Sequence, residues 1–234
     1  MALPKISHTK FKVELISQGK EIEMRPFLVK EEKILLMAME GRDDDEIIES
    51  IIQILQNCIL TPGIKVKELP SFDVEHLFLK LRQKSIGETV QLTLKHKDES
   101  KCNHATPVTI DLDKVKIKKD PNHNNRFKIT PEIGVTMTYP TPKALENLTN
   151  QSVESLFKLI ASCIKEIYTT DEVFADFTQK EINEWVEQLS EEQLGKLVQF
   201  IQTMPYLSHM VKFQCPKCGD EESYELKGLK DFFI

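Results

Sequence analysis

Glycine is scarce, with eight in 234 residues, so a loop that cradles phosphate with its backbone N–H groups has little to be built from. The chain contains no Gly-x-Gly-x-x-Gly, Gly-x-x-x-x-Gly-Lys-Ser/Thr, Gly-x-Ser-x-Gly or His-Glu-x-x-His, which removes the common dinucleotide, nucleotide, esterase and metalloprotease signatures. Long apolar runs are missing too. Even "EIIESIIQILQNCIL" is interrupted by Glu49, Ser50, Gln53 and Gln56, and a spanning helix needs ~20 apolar residues. There is no basic surplus: the net charge is −6, with Lys and Arg alternating with Asp and Glu, so nothing is arranged to hold a nucleic-acid backbone. Tandem repeats and low-complexity segments are also lacking. The opening "MALPKISHTKFKV" has no apolar leader core, and five cysteines, an odd number, fit a reducing compartment. The expectation is a soluble, cytosolic protein that is not an enzyme.

What is present is ordinary for a globular chain, at 40% hydrophobic and 29% charged residues. "FKVELISQGKEIEM" alternates around Ser17-Gln18-Gly19 and predicts a β-hairpin. "VKEEKILLMAME" predicts a helix, and Asp45 to Leu60 a second, with Ile47, Ile48, Ile51, Ile52, Leu55 and Ile59 on one face. The acidic triplet Asp43–Asp45 is a possible Mg²⁺ site, but its place before a helix is explained more simply by the helix dipole. A third helix follows Ser71 or Asp73, and its His76 reads as a packed or rim residue. "ETVQLTLKH" and "TPVTIDLDKVKI" predict a second hairpin with an enlarged tip, and "FKITPEIGVTMTYP" adds strand. The loop "KKDPNHNNR" reads as a hinge or disordered tip, with His123 idle in it. From Thr141 the pattern becomes helical through "VESLFKLIASCIKEIYT", and Thr178-x-x-Glu181 and Ser190-x-x-Gln193 are capping boxes. The fold class is α+β: hairpins with several amphipathic helices, divided into an α+β part (1–140), a helical part (141–210) and a terminal knuckle (211–234).

Cys58 and Cys163 fall on apolar helix faces and read as core thiols. Cys215-Pro-Lys-Cys218-Gly is half of a metal site, because two thiolates do not complete one. Leu92, Leu94 and His96 alternate into the mid-chain tip much as Val211, Phe213 and Cys215 alternate into the terminal one. His96 and Cys102 would then face Cys215 and Cys218 in a zinc-ribbon-like plan that cross-braces the mid-chain hairpin and the C-terminus. His104 competes with His96 as the fourth ligand, and an unmetallated turn or a redox pair is the alternative to zinc. Four protein ligands leave no open position, so such a zinc would be structural.

Four stretches, "GKEIEMRPFLVKEEKILLMAME", "FDVEHLFLKLRQKSIGE", "FQCPKCG" and "LKGLKDFF", together resemble the baseplate hub assembly proteins of T-even-type tailed bacteriophages. The resemblance runs in order over nearly the whole chain. Its members carry a compact Cys-x-x-Cys in the mid-chain hairpin where this sequence has the stretch from His96 to Cys102. It implies a non-catalytic role in building the hub through contacts with other baseplate hub proteins in the host-cell cytoplasm. Residence in the finished virion and oligomeric state stay open. The alternative is a zinc-ribbon nucleic-acid-binding or transcription factor, which the acidic "CGDEESYELKGLKDFF" disfavours. Phe232, Phe233 and Ile234 are either docked on the protein's own core or kept as anchors for a partner, each phenylalanine worth about 2–3 kcal/mol on burial.

Overall fold

Alternate side chains of a strand share one face, and Val13, Leu15, Ile22 and Met24 are accordingly all buried. They belong to an antiparallel hairpin of β1 (Phe11–Leu15) and β2 (Lys20–Met24). The computed structural model describes residues 6–41, 43–98, 102–146 and 152–233, with the backbone alone at Glu146 and Phe233. The chain is α+β, with small antiparallel sheets, and it divides into two units. One takes Met1–Val66, Phe72–Lys118 and Tyr206–Ile234; the other takes Lys67–Ser71 and Lys119–Pro205.

In the first unit, α1 (Val29–Gly41) and α2 (Asp44–Cys58) follow the hairpin. The Asp43 side chain accepts from the N–H groups of Asp45 and Glu46 at 2.9 and 3.2 Å, so the acidic triplet starts a helix. Asp44 pairs with Lys230. Ile47, Ile51, Ile52, Leu55 and Cys58 of α2 are buried, whereas Ile48 and Ile59 of the expected face are half-buried and Ile54, outside it, is fully buried. Helix α3 (Ser71–Ser85) buries Phe72, Leu77, Phe78 and Leu81. Its His76 is half-buried, and burial pushes its pKa down to about 4. The second hairpin pairs β3 (Thr89–Leu94) with β4 (Thr106–Asp111), and β5 (Lys116–Lys118) closes this part of the chain.

The second unit corrects two expectations. Its sheet has the order β6 (Arg126–Lys128), β7 (Gly134–Met137), β8 (Ile164–Tyr168) and β9 (Val173–Phe174). The expected long helix therefore stops at Cys163, and the following Ile164, Lys165, Glu166 and Ile167 enter a strand beside β7. That pairing draws residues 119–140 into the same unit as the helices, so the boundary falls after Lys118 instead of at 140. Gly134 opposes Tyr168, whose ring would lie 2.1 Å from any Cβ there, so a glycine is required. The helices are α4 (Pro142–Glu146), α5 (Val153–Cys163), α6 (Gln179–Glu187) and α7 (Glu191–Thr203), and both capping boxes form as read from the sequence. They enclose a core of Val135, Met137, Leu159, Ile160, Cys163, Ile182, Val186, Leu197 and Phe200.

His123 is not idle. Its ring nitrogens bond the Thr203 and Tyr139 hydroxyls at 2.9 and 3.0 Å, and its ring packs on Tyr139 and Phe200. The supposed disordered loop is anchored by a side chain that sequence distance hides.

The chain returns to the first unit as β10 (Tyr206–Gln214), which pairs with β5 on one side and β11 (Glu221–Lys227) on the other. A last turn, α8 (Lys230–Phe233), follows. Phe232 is fully buried, so its partner-anchor reading is corrected: the first unit's own core absorbs the ring. The Phe233 side chain and Ile234 lie outside the described residues.

Candidate metal centre

Strand β10 carries Val211 and Phe213 on its buried side and delivers the buried Cys215, the residue after its end, into a tight turn. Gly219 closes that turn at φ +82°, a backbone shape that side chains disfavour. Its N–H donates to the Cys215 carbonyl at 2.9 Å, while the Cys215 N–H donates to the Asp220 carbonyl at 2.9 Å. The turn holds Cys215 and Cys218 on the side facing the mid-chain tip.

That tip supplies the rest. His96 stands two residues past the end of β3, and its ring is almost fully buried. One nitrogen, Nε2, lies 3.2 Å from Cys218 Sγ, and Cys102 Sγ lies 3.6 Å from Cys215 Sγ. The donor atoms of His96, Cys102, Cys215 and Cys218 all fall within 4.8 Å of one another. Bond lengths of ~2.0–2.3 Å at tetrahedral angles put donors roughly 3.6–3.8 Å apart, so the group can hold a metal ion. His104 is not a member of the group; its N–H instead donates to the Cys102 carbonyl at 2.8 Å.

Glu222 completes the setting, and sequence reading missed it. Its Oε1 lies 2.6 Å from His96 Nδ1, and its Oε2 accepts from the Lys97 N–H at 3.1 Å. A proton held on Nδ1 leaves the Nε2 lone pair facing the thiols. The same contact, helped by Cys215, raises the His96 pKa to about 9, and a metal bound at Nε2 would take the place of a proton. Burial raises the Cys215 thiol, but the backbone N–H groups of Cys218 and Lys217 together with His96 and Cys102 outweigh it and leave the value lowered. The only hint in the sequence is that Glu222 lies four residues past Cys218 on the strand leaving the turn.

Further contacts stitch the two tips together. Lys97 Nζ donates to the Ser223 carbonyl at 2.6 Å and lies 4.8 Å from the Tyr224 ring centre. The Tyr224 hydroxyl donates to the Lys95 carbonyl, and its ring stacks on Phe213. Cys58 and Cys163 stand apart in cores, where burial pushes both thiols up to about 11.

With this geometry in place, comparison with known proteins gives a consistent result. The "Baseplate hub assembly protein gp26" of Enterobacteria phage T4 is 22% identical over 225 residues, covering 95% of this chain and 97% of that protein. No solved structure matches. The profile of the T4 bacteriophage base plate protein family matches residues 7–234, and since that is nearly the whole sequence, the chain belongs to this family.

Proposed function

We propose that the protein assembles the baseplate hub of a tailed bacteriophage by binding other baseplate hub proteins, without catalysis, and that it carries one structural zinc. The observation that carries the assembly reading is the relation to a hub assembly protein over 95% of this chain and 97% of that one. Three thiolates and an imidazole are the donor set zinc favours. With four protein donors converging, no position is left for a substrate or an activated water, which supports a bracing role. No described helix is long and apolar enough to cross a membrane, and hub assembly in the host cytoplasm needs none. A nucleic-acid-binding ribbon is disfavoured by Asp220, Glu221 and Glu222 beside the turn and by the net charge of −6.

The test is infection with phage lacking this gene, followed by electron microscopy of the lysate. Missing or hubless baseplates, restored by a plasmid copy, are expected. Complete baseplates without the protein would overturn the assembly reading.

A further inference from the structure

The first unit carries a cleft of about 490 Å³ between α1, α2, α3, β3 and the last described turn. All five successive residues from Val90 to Leu94 line it. Neighbouring side chains of a strand point to opposite faces, so a cleft that touches five in a row runs along the strand's edge, not over one of its faces. Among the described residues β3 pairs only with β4 in a two-stranded sheet, and beyond Thr89, whose carbonyl accepts from Arg82 Nη1 at 3.2 Å, its other edge is open. Among the described residues, none outside the hairpin hydrogen-bonds to the backbone from Val90 to Leu94. The opposite wall presents Leu36, Met39 and Ile86, which are 55, 42 and 54% exposed.

Proteins blunt free strand edges with charge, proline or very short strands, because an open edge recruits other chains. The other described edges are treated in this way. β4 has Pro107 and Asp111, β5 has Lys116 and Lys118, β6 has Arg126 and Lys128, β11 and both strands of the first hairpin carry Glu and Lys, and β9 has two residues. "TVQLTL" of β3 has neither charge nor proline. The charged groups around the cleft, Glu32, Arg82, Lys230 and Asp231, balance in sign, which complements a segment of no net charge.

We propose that this cleft receives an extended, uncharged segment of a partner protein with alternating apolar side chains, added to β3 as a third strand. Main-chain hydrogen bonds along Val90–Leu94 would hold it, and its apolar side chains would meet Leu36, Met39 and Ile86, as in strand addition generally. A helix is a poorer occupant because it has no free backbone groups to offer an edge. The identity of the partner as a hub protein rests on the assembly reading above.

The test is hydrogen–deuterium exchange on the full chain, alone and co-expressed with the baseplate hub proteins of the same phage. Slowed exchange of the Val90–Leu94 amides in the complex is expected. Leu92→Lys should lower capture of the partner by about tenfold or more with the fold retained, as judged by melting. Thr93→Lys supplies the same charged edge at an exposed position should Leu92→Lys fail to fold, and Thr109→Lys on β4 should leave capture unchanged. A complex that forms without protecting these amides overturns the strand proposal and leaves the assembly reading standing. Protection that appears in the protein alone, with dimerisation abolished by Thr93→Lys, makes a second copy the occupant and also overturns it. Absence of any complex overturns both readings.

Discussion

Glu222 decides what His96 can offer an ion, because the carboxylate 2.6 Å from Nδ1 fixes the ring so that Nε2 faces the thiols. Carboxylate partners of this kind are typically worth about 10–100-fold in metal affinity. Glu222→Gln should therefore weaken zinc by about that factor in a chelator competition, whereas His104→Ala should leave it unchanged. Glu75 of α3 makes a second prediction. Its carboxylate accepts from the N–H groups of Leu207 and Leu229, yet burial outweighs those bonds and raises its pKa from 4.5 to about 7. The folded state thus holds a proton that the unfolded chain has released, and Glu75 costs stability progressively as pH rises from 4.5 to 7. Glu75→Gln keeps a carbonyl acceptor and has no charge to desolvate, so its melting temperature should gain on the wild type across that window; a constant difference would contradict this. The grouping of His96, Cys102, Cys215 and Cys218 was legible because Cys215 and Cys218 form a Cys-x-x-Cys turn, Cys102 is the other cysteine placed in a loop, and His96 ends an alternating strand pattern. Glu222 was not, since its role depends on a pairing across 126 residues that one local pattern cannot encode.

At the scale of elements, the last turn α8 is a plug for the first unit. Phe232 is fully buried and Leu229 nearly so, and truncating a buried Phe to Ala costs about 3–5 kcal/mol. Phe232→Ala should lower the unfolding midpoint in urea by a corresponding amount; an unchanged midpoint would show that the turn is dispensable. Helices α2, α6 and α7 were legible from caps and apolar periodicity, which are local. Strand β8 was not, for a definite reason: Ile160, Cys163, Ile164 and Ile167 continue the i, i+3, i+4 spacing of the preceding helix. What ends the helix is β7, which offers a ladder to residues 164–168, and tertiary pairing of this kind overrides a local pattern. The β3 edge belongs to this scale too, since its lack of charge is visible in the sequence while the cleft beside it needs the fold.

At the scale of the whole molecule, the chain leaves its first unit briefly at Lys67–Ser71, then again after Lys118, and returns to it at Tyr206. The return is held by β10 between β5 and β11, by the buried Phe232 and by four ligand-type side chains that join positions 113 and 122 residues apart. An ion bound there would link the middle of the sequence to its end and make both parts of one folding event. Family membership gives the molecule its setting in a phage baseplate; the proposed ion would brace the first unit, which carries the proposed binding edge. The most direct test is the metal-to-protein ratio of the native protein purified without chelator, measured by elemental mass spectrometry beside the Cys215→Ser variant. About one zinc per wild-type chain and none in the variant, with a large drop in melting temperature, is the predicted result. Wild-type protein that is fully folded and free of metal would contradict it.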